Sequence, residues 1–333
     1  MKPNPSLATL IERFFTERLM YQRHVSPHTV ASYRDTFRLL FRFAQTRLHK
    51  SPEKLELLDL DASLISAFVD DMEAFRSVCV RTLNLRLTAI RPFFHFVAFE
   101  APTHSGHIQR VLAIPGKRGD KGIVSFINRE EIDALLAAPD RCTWIGRRDY
   151  SLLLQAVQTG LRLSELTALN RDDVHLGRGA HVRCFGKGRK ERCTPLTAHA
   201  ALTLKAWLKE PPRSTEPSLF PNVHGGRLSA DAVQYLVSKY VKQASAGCPT
   251  LMRKRVSPHV LRHSAAMELL QAGVDCSVIA LWLGHESVET TQVYLHAHLA
   301  IKEASLAKVS TFHTGRSVRY RARGRLLTFL DSL

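Results

Sequence analysis

A mainly helical chain in two domains, with one small β-hairpin in the second, is the fold class this sequence predicts. Three observations predict it. Apolar stripes at helical spacing cover most of the length, and two short β-compatible segments flank a glycine-rich turn. An aperiodic stretch rich in Pro, Gly and basic residues interrupts the chain after its first third. With 333 residues, 45% of them hydrophobic, the chain has ample apolar material for a core. It has no run of about eighteen apolar residues, so no transmembrane helix is expected. Residues 1–10 lack the basic start and apolar run of a signal peptide, so the expected location is the cytoplasm.

Residues 1–102 read as about four helices. Leu7, Leu10, Ile11, Phe14 and Phe15 form the first stripe. Ser26-Pro27 is a cap and first-turn pair ahead of Val30, Tyr33, Phe37, Leu40 and Phe41. Shorter and longer stripes follow at 64–72 and 78–96. Residues 103–125 read as an interdomain linker, whose Lys117, Arg118 and Lys121 are candidate phosphate contacts. A second domain spans 126–310. Asn128 with Glu131 three residues on is a helix-start signal. Helices are expected at about 129–138, 147–159, 163–169, 198–209, 229–244, 259–272, 276–283, 287–296 and 298–309. HVRCF and RCTPL are the hairpin strands. A tail, 311–333, carries five arginines and then an apolar run, LLTFL.

Charge narrows the function. The net charge is +17. Residues 1–102 hold 14 basic and 11 acidic residues (net +3), and 103–333 hold 33 and 19 (net +14). Such an excess points to a polyanion, with nucleic acid first. The six cysteines form no CxxC pair, which argues against a zinc site or a disulfide framework.

Four segments can carry chemistry. In SPHVLRH, 257–263, His259 and Arg262 share one face near a helix N-terminus, where backbone N–H groups and a positive dipole favour a phosphate. In TGLRLSEL, 159–166, Arg162 sits at a helix junction with Glu165 placed to orient it or to cap the helix. GKGRKER, 186–192, is a basic hairpin tip in which Lys187 can donate a proton or contact phosphate. In LGHESVETTQVYLH, 283–296, His285 and Tyr294 are nine residues apart and would face opposite ways on one straight helix. A break at Gly284 and Ser287 would let both reach one pocket. Taken singly, each segment has an ordinary reading: a capped surface helix, a buried Arg–Glu pair, a solvated turn, a packed aromatic ring.

As a set, TGLRxSEL, GKGxKxR, HxLRH and LGHxxxxTTxxY resemble, in order, the signature boxes of the tyrosine recombinases, or phage integrases, of the Xer-like kind. The resemblance covers the whole architecture and is densest over 159–296. It implies a SAM-like helical core-binding domain followed by a catalytic domain of the DNA breaking–rejoining fold. It further implies that Arg162 and Arg262 hold the scissile phosphate, and that His259 moves a proton and contacts that phosphate. His285 would hydrogen-bond the phosphate, Lys187 (with Lys190 as runner-up) would be the general acid for the leaving 5′-oxygen, and Tyr294 the nucleophile. Arg189, Lys190 and Arg192 join Lys117, Arg118 and Lys121 as expected DNA contacts. Double-stranded DNA is the implied partner, bound by a homo- or hetero-tetramer on two sites, with no metal and no other cofactor. A phosphotyrosyl link conserves the energy of the broken bond, and the chain has no GxxxxGK[ST] loop for a nucleotide. Integration, transposition and resolution of chromosome dimers are all compatible with this class.

Three rival readings remain at the level of sequence. A type IB topoisomerase shares the chemistry, and a catalytically silent DNA-binding protein shares the scaffold. A metal site on His259, His263 and His285 has i,i+4 spacing in HVLRH but lacks the glutamate of HExxH.

Overall fold

Among the described residues, side-chain caps set most helix starts. The computed structural model describes residues 5–76, 78–119, 124–186, 191–211, 213, 216–285, 287 and 289–297. It divides into two compact units, 1–121 and 122–333.

In the first unit Ser6 accepts the Thr9 amide and opens α1 (Leu7–Arg13), which continues as a π-helical stretch, Phe14–Gln22. Ser26 caps α2 (Pro27–Leu48), with Pro27 in the first turn. Helices α3 (Ala62–Arg76) and α4 (Val80–Glu100) complete the four expected from the apolar stripes. Their core centres on phenylalanines. Phe93 meets Phe14 at 5.5 Å, Phe37 at 5.3 Å and Phe94 at 5.4 Å between ring centroids, each near-perpendicular.

Part of the segment expected as a linker is helical. Residues 105–112 form a helix, α5 (Ser105–Leu112), with Ile108 and Val111 buried in the same core. Asn84 on α4 then binds both the amide and the carbonyl of Lys117, each at 2.8 Å. Two buried side chains in a two-turn helix are too few to show as a period among Pro and Gly neighbours.

The second unit opens with a capping box. Asn128 accepts the Glu131 amide while Glu131 accepts the Asn128 amide, starting α6 (Arg129–Ala137). Helix α7 (Trp144–Thr159), capped by Thr143, is buried on nearly every face and packs against α6, α9 (Ala198–Leu208) and α11 (Pro258–Gln271). A short helix α8 (Leu163–Ala168) follows it. The hairpin is the edge of a three-stranded antiparallel sheet. A two-residue strand β1 (Val174–His175) pairs with β2 (His181–Phe185), which pairs with β3 (Glu191–Pro195). Two residues give no alternation, so β1 leaves no trace in the sequence pattern. Helix α10 (Ala230–Ala244) is tied to α7 by a buried network: Tyr240 donates to Asp149 at 2.8 Å, and Arg148 donates to Asp149 and to the Pro221 carbonyl. Helices α12 (Cys276–Leu283) and α13 (Glu289–Ala297) pack with α11 around Ala266, Met267, Leu270, Ile279, Leu283 and Tyr294. The break between α12 and α13 lies where Gly284 and Ser287 require it. Among the described residues no helix is long and apolar enough to cross a membrane.

Truncating Phe93 to Ala should therefore cost about 3–5 kcal/mol of unfolding free energy, because the cavity would fall at the junction of three other rings. Urea denaturation of the full chain followed by far-UV circular dichroism checks this. A loss below about 1 kcal/mol would show that the ring cluster is not the core of the first unit.

Candidate active site

Two helix C-termini build the site. Helix α7 ends at Gly160 (φ 62°) and α12 ends at Gly284 (φ 66°), both left-handed. Only glycine suits either position. A Cβ at residue 160 would lie 2.6 Å from Leu283 Cδ2, and one at residue 284 would lie 2.8 Å from the Arg192 guanidinium. The last carbonyls of a helix lack intrahelical partners and sit at its negative pole. Here they are taken by arginines. Arg192 donates to the Trp282 carbonyl (3.3 Å), Arg262 to Leu283 (2.8 Å) and Arg162 to Gly284 (2.8 Å). Arg262 also donates to the Gly160 carbonyl at 2.6 Å, and the Trp282 indole to the Thr159 carbonyl at 3.1 Å. Three consecutive carbonyls thus each hold one guanidinium.

Glu165 supplies the negative charge of this cluster. It is 4% exposed. It accepts the Arg162 amide (2.7 Å) and the Arg162 guanidinium (3.0 Å), so it serves as cap and ion-pair partner at once. Arg192 grips it with two bonds, at 2.9 and 2.8 Å. Burial alone would raise the carboxyl pKa, but these hydrogen bonds outweigh it and hold the group at about 2.

Arg162 and Arg262 face a cleft of about 580 Å³, lined also by Leu161, Ser257, Pro258 and His259. Ser257 caps α11, so the N-terminal amides of that helix open at the cleft. Arg262 is 3% exposed, and burial beside Arg162 pulls its pKa down to about 10, which leaves it charged at neutral pH. His259 is exposed at the cleft and its ring packs edge-on against that of His263, with 4.3 Å between centroids.

Tyr294 is 2% exposed. Its hydroxyl is 2.8 Å from His263 Nδ1, and burial pushes the phenol pKa above its ordinary value against the pull of Arg262. Burial, with His259 and Arg262 nearby, pushes His263 down to about 4. His285 bonds the buried Thr291 at 2.8 Å and is likewise lowered to about 4 by burial and by Arg262 and Arg162. Both imidazoles are neutral at pH 7.

The fold thus brings Arg162, Arg262, His259, His285 and Tyr294 to one region of the second unit. Lys187, Arg189, Lys190 and Lys121 lie outside the described residues. Arg192, grouped on sequence with the DNA contacts, has its guanidinium on Glu165 and the Trp282 carbonyl. Lys117 belongs to the first unit, where its ammonium pairs with Asp70 and Glu73, and Arg118 is exposed. Sequence reasoning misses the partnership of His263 with Tyr294 and the bracing by Arg192. The i,i+4 spacing of His259 and His263 is visible in the sequence, but it points equally to a metal. Among the described residues no group of three or more His, Cys, Asp or Glu is placed to hold one.

A Glu165→Gln substitution should remove up to about 3 kcal/mol of stability at pH 7, the equivalent of a carboxyl held at about 2 against 4.5 in the unfolded chain. Because the folded pKa is depressed, this contribution is full above pH 4.5 and fades as pH falls toward 2. Urea denaturation at stepped pH should show parent and variant converging over that window. A gap independent of pH would show that the carboxylate charge does not brace the arginines.

Comparison with known proteins shows the family. Residues 125–300 match the model of the phage integrase family, and residues 11–100 that of the phage integrase N-terminal SAM-like domain. A Sinorhizobium fredii (strain NBRC 101917 / NGR234) protein named as an integrase/recombinase, y4rC, is 59% identical over 333 residues, the whole of both chains. The tyrosine recombinase XerC of Pelotomaculum thermopropionicum is 32% identical over 292 residues, covering 85% of this chain and 92% of its own. Among solved structures, the XerH site-specific recombinase in a post-cleavage complex with its palindromic difH substrate shares the fold, with a TM-score of 0.70 at 21% identity. That match covers 86% of this chain and 81% of the other. The chain belongs to the phage integrase family of tyrosine recombinases.

Proposed function

We propose that this recombinase breaks and rejoins DNA through Tyr294, with Arg162 and Arg262 as the phosphate clamp. The observation that carries the reading is a cleft lined by two guanidinia, the His259 imidazole and a helix N-terminus, with the buried Tyr294 close to Arg262. Phosphoryl transfer depends on in-line positioning and on stabilising charge at the non-bridging oxygens. Arg162 and Arg262 keep unused N–H donors after binding the helix carbonyls, so a phosphate can dock without dismantling their supports.

Tyr294 Oη attacks phosphorus, and the bond to the 5′-oxygen breaks. The strand is then held as a 3′-phosphotyrosyl ester, and the leaving oxygen takes a proton from Lys187. His259 and His285 contact the phosphate. A 5′-hydroxyl from a partner strand reverses the step and restores Tyr294. The similarity to recombinases solved on DNA supports duplex DNA as partner, and the exchange of two strands supports a tetramer on two sites.

Covalent trapping tests this directly. Nicked suicide duplexes tiled from the DNA flanking its own gene should yield a protease-sensitive adduct on a denaturing gel. Tyr294→Phe should abolish the adduct, and Arg162→Ala or Arg262→Ala should slow it by roughly 10²–10³-fold. Lys187→Ala should slow cleavage of ordinary DNA but recover on a substrate whose leaving atom is 5′-sulfur, which needs no general acid. Binding without any adduct would favour a silent DNA-binding protein. An adduct with relaxation of supercoils but no transfer between two duplexes would favour a topoisomerase.

A further inference from the structure

We propose that His263 is a further catalytic residue of this site: through Nδ1 it aims the Tyr294 hydroxyl and accepts its proton as the bond to phosphorus forms. The proposal rests on Tyr294 being the nucleophile and adds the proton acceptor to that reading.

Three observations carry it. His263 Nδ1 and Tyr294 Oη are 2.8 Å apart, within the range of a good hydrogen bond. Tyr294 belongs to the core cluster of Met267, Leu270, Ile279 and Leu283, and the half-buried imidazole meets its ring at 63° with 5.5 Å between centroids, so the tyrosine is held by the core and the imidazole lies against it. The same helix turn carries Arg262, whose guanidinium is fixed by the Gly160 and Leu283 carbonyls. Acceptor and phosphate clamp therefore move as one rigid unit.

The charges around His263 explain the timing. The groups facing it are His259 and Arg262 on its own helix, Tyr294 on α13 and His285 between α12 and α13. None is anionic in the free chain, so the imidazole stays neutral and too weak a base to ionise a buried phenol. A DNA phosphate between the arginines brings the missing negative charge and raises imidazole basicity. As Oη bonds to phosphorus the phenol becomes acidic, and its proton passes to Nδ1, giving an imidazolium that keeps its Nε2 proton. The P–O5′ pair leaves on the 5′-oxygen, which is protonated by the general acid. In rejoining, the imidazolium returns the proton to the departing Tyr294 oxygen.

Two arms test this. In the free protein, long-range ¹H–¹⁵N spectra of the imidazoles, with the His263 signal assigned by its loss in a variant, should show the Nε2–H tautomer at pH 7. An Nδ1–H tautomer would overturn the proposal. In single-turnover trapping on the tiled nicked duplexes, His263→Asn places an oxygen where Nδ1 stood, whereas His263→Gln places its amide where Nε2 stood. Asn, which can aim the hydroxyl but takes no proton, should slow cleavage by roughly 10²-fold and lose the acid limb of the pH–rate profile, while Gln and Phe, which lose the aim as well, should fall further at unchanged DNA binding. Equal rates for Asn, Gln and Phe would overturn the role of His263 alone. An adduct absent even from the unaltered chain would overturn the Tyr294 reading, and this proposal with it.

Discussion

Three guanidinia on three successive backbone carbonyls, at Trp282, Leu283 and Gly284, are the constraint on which the rest of the second unit depends. Two unit positive charges about 6 Å apart repel by about 3 kcal/mol at an effective dielectric of 20, so gathering Arg162, Arg192 and Arg262 opposes folding unless something offsets it. The offset is local. Two helix C-termini present orphan carbonyls at their negative poles, and Glu165 adds one full charge. Without Gly160 and Gly284 the chain could not turn into the left-handed conformation that lets both helices end there, and the carbonyls would lose their aim.

This scaffold leaves the site net positive, with Glu165 already engaged by Arg162 and Arg192. Burial keeps Tyr294 as a phenol and keeps His263 and His285 as neutral imidazoles. The site is therefore preorganised for an anion rather than satisfied internally, and its electrostatics stay unbalanced until a phosphate arrives. The net charge of +17 is not lowered by the arginines paired inside, because each cancels against its own carboxylate. Arg148 on Asp149 and Arg192 on Glu165 stabilise the fold, and DNA attraction falls to the remainder.

Much of this architecture is legible in the residues themselves. Helix starts are readable because Ser26, Asn128 and Ser257 cap through their own side chains, a local rule that survives tertiary packing. The break between His285 and Tyr294 is readable because Gly284 stands at it. Elements too short to carry a period are not readable: β1 has two residues, and α5 buries Ile108 and Val111 among prolines and glycines. Contacts across the fold are also hidden. Nothing in ERCTP says that Arg192 will reach Glu165, 27 positions earlier, or the Trp282 carbonyl, 90 positions later. Basic residues beside a glycine turn resemble DNA contacts until the fold shows which ones point inward.

The reversibility of strand exchange gives the low basicity of the tyrosine's neighbour a physical rationale. A phosphotyrosyl link is close in energy to the phosphodiester it replaces, and no nucleotide drives either direction. A strong base beside Tyr294 would stabilise the phenolate and leave an imidazolium too weakly acidic to protonate the tyrosine oxygen when the strand is rejoined. A strong acid would block attack. On this proposal an imidazole held down by burial and neighbouring cations, and raised by the charge of a bound phosphate, serves both directions of the exchange. His263 and Tyr294 meet where α11 packs on α13, so on this proposal one pair of rings sets both the aim of the nucleophile and the conditions under which it can react.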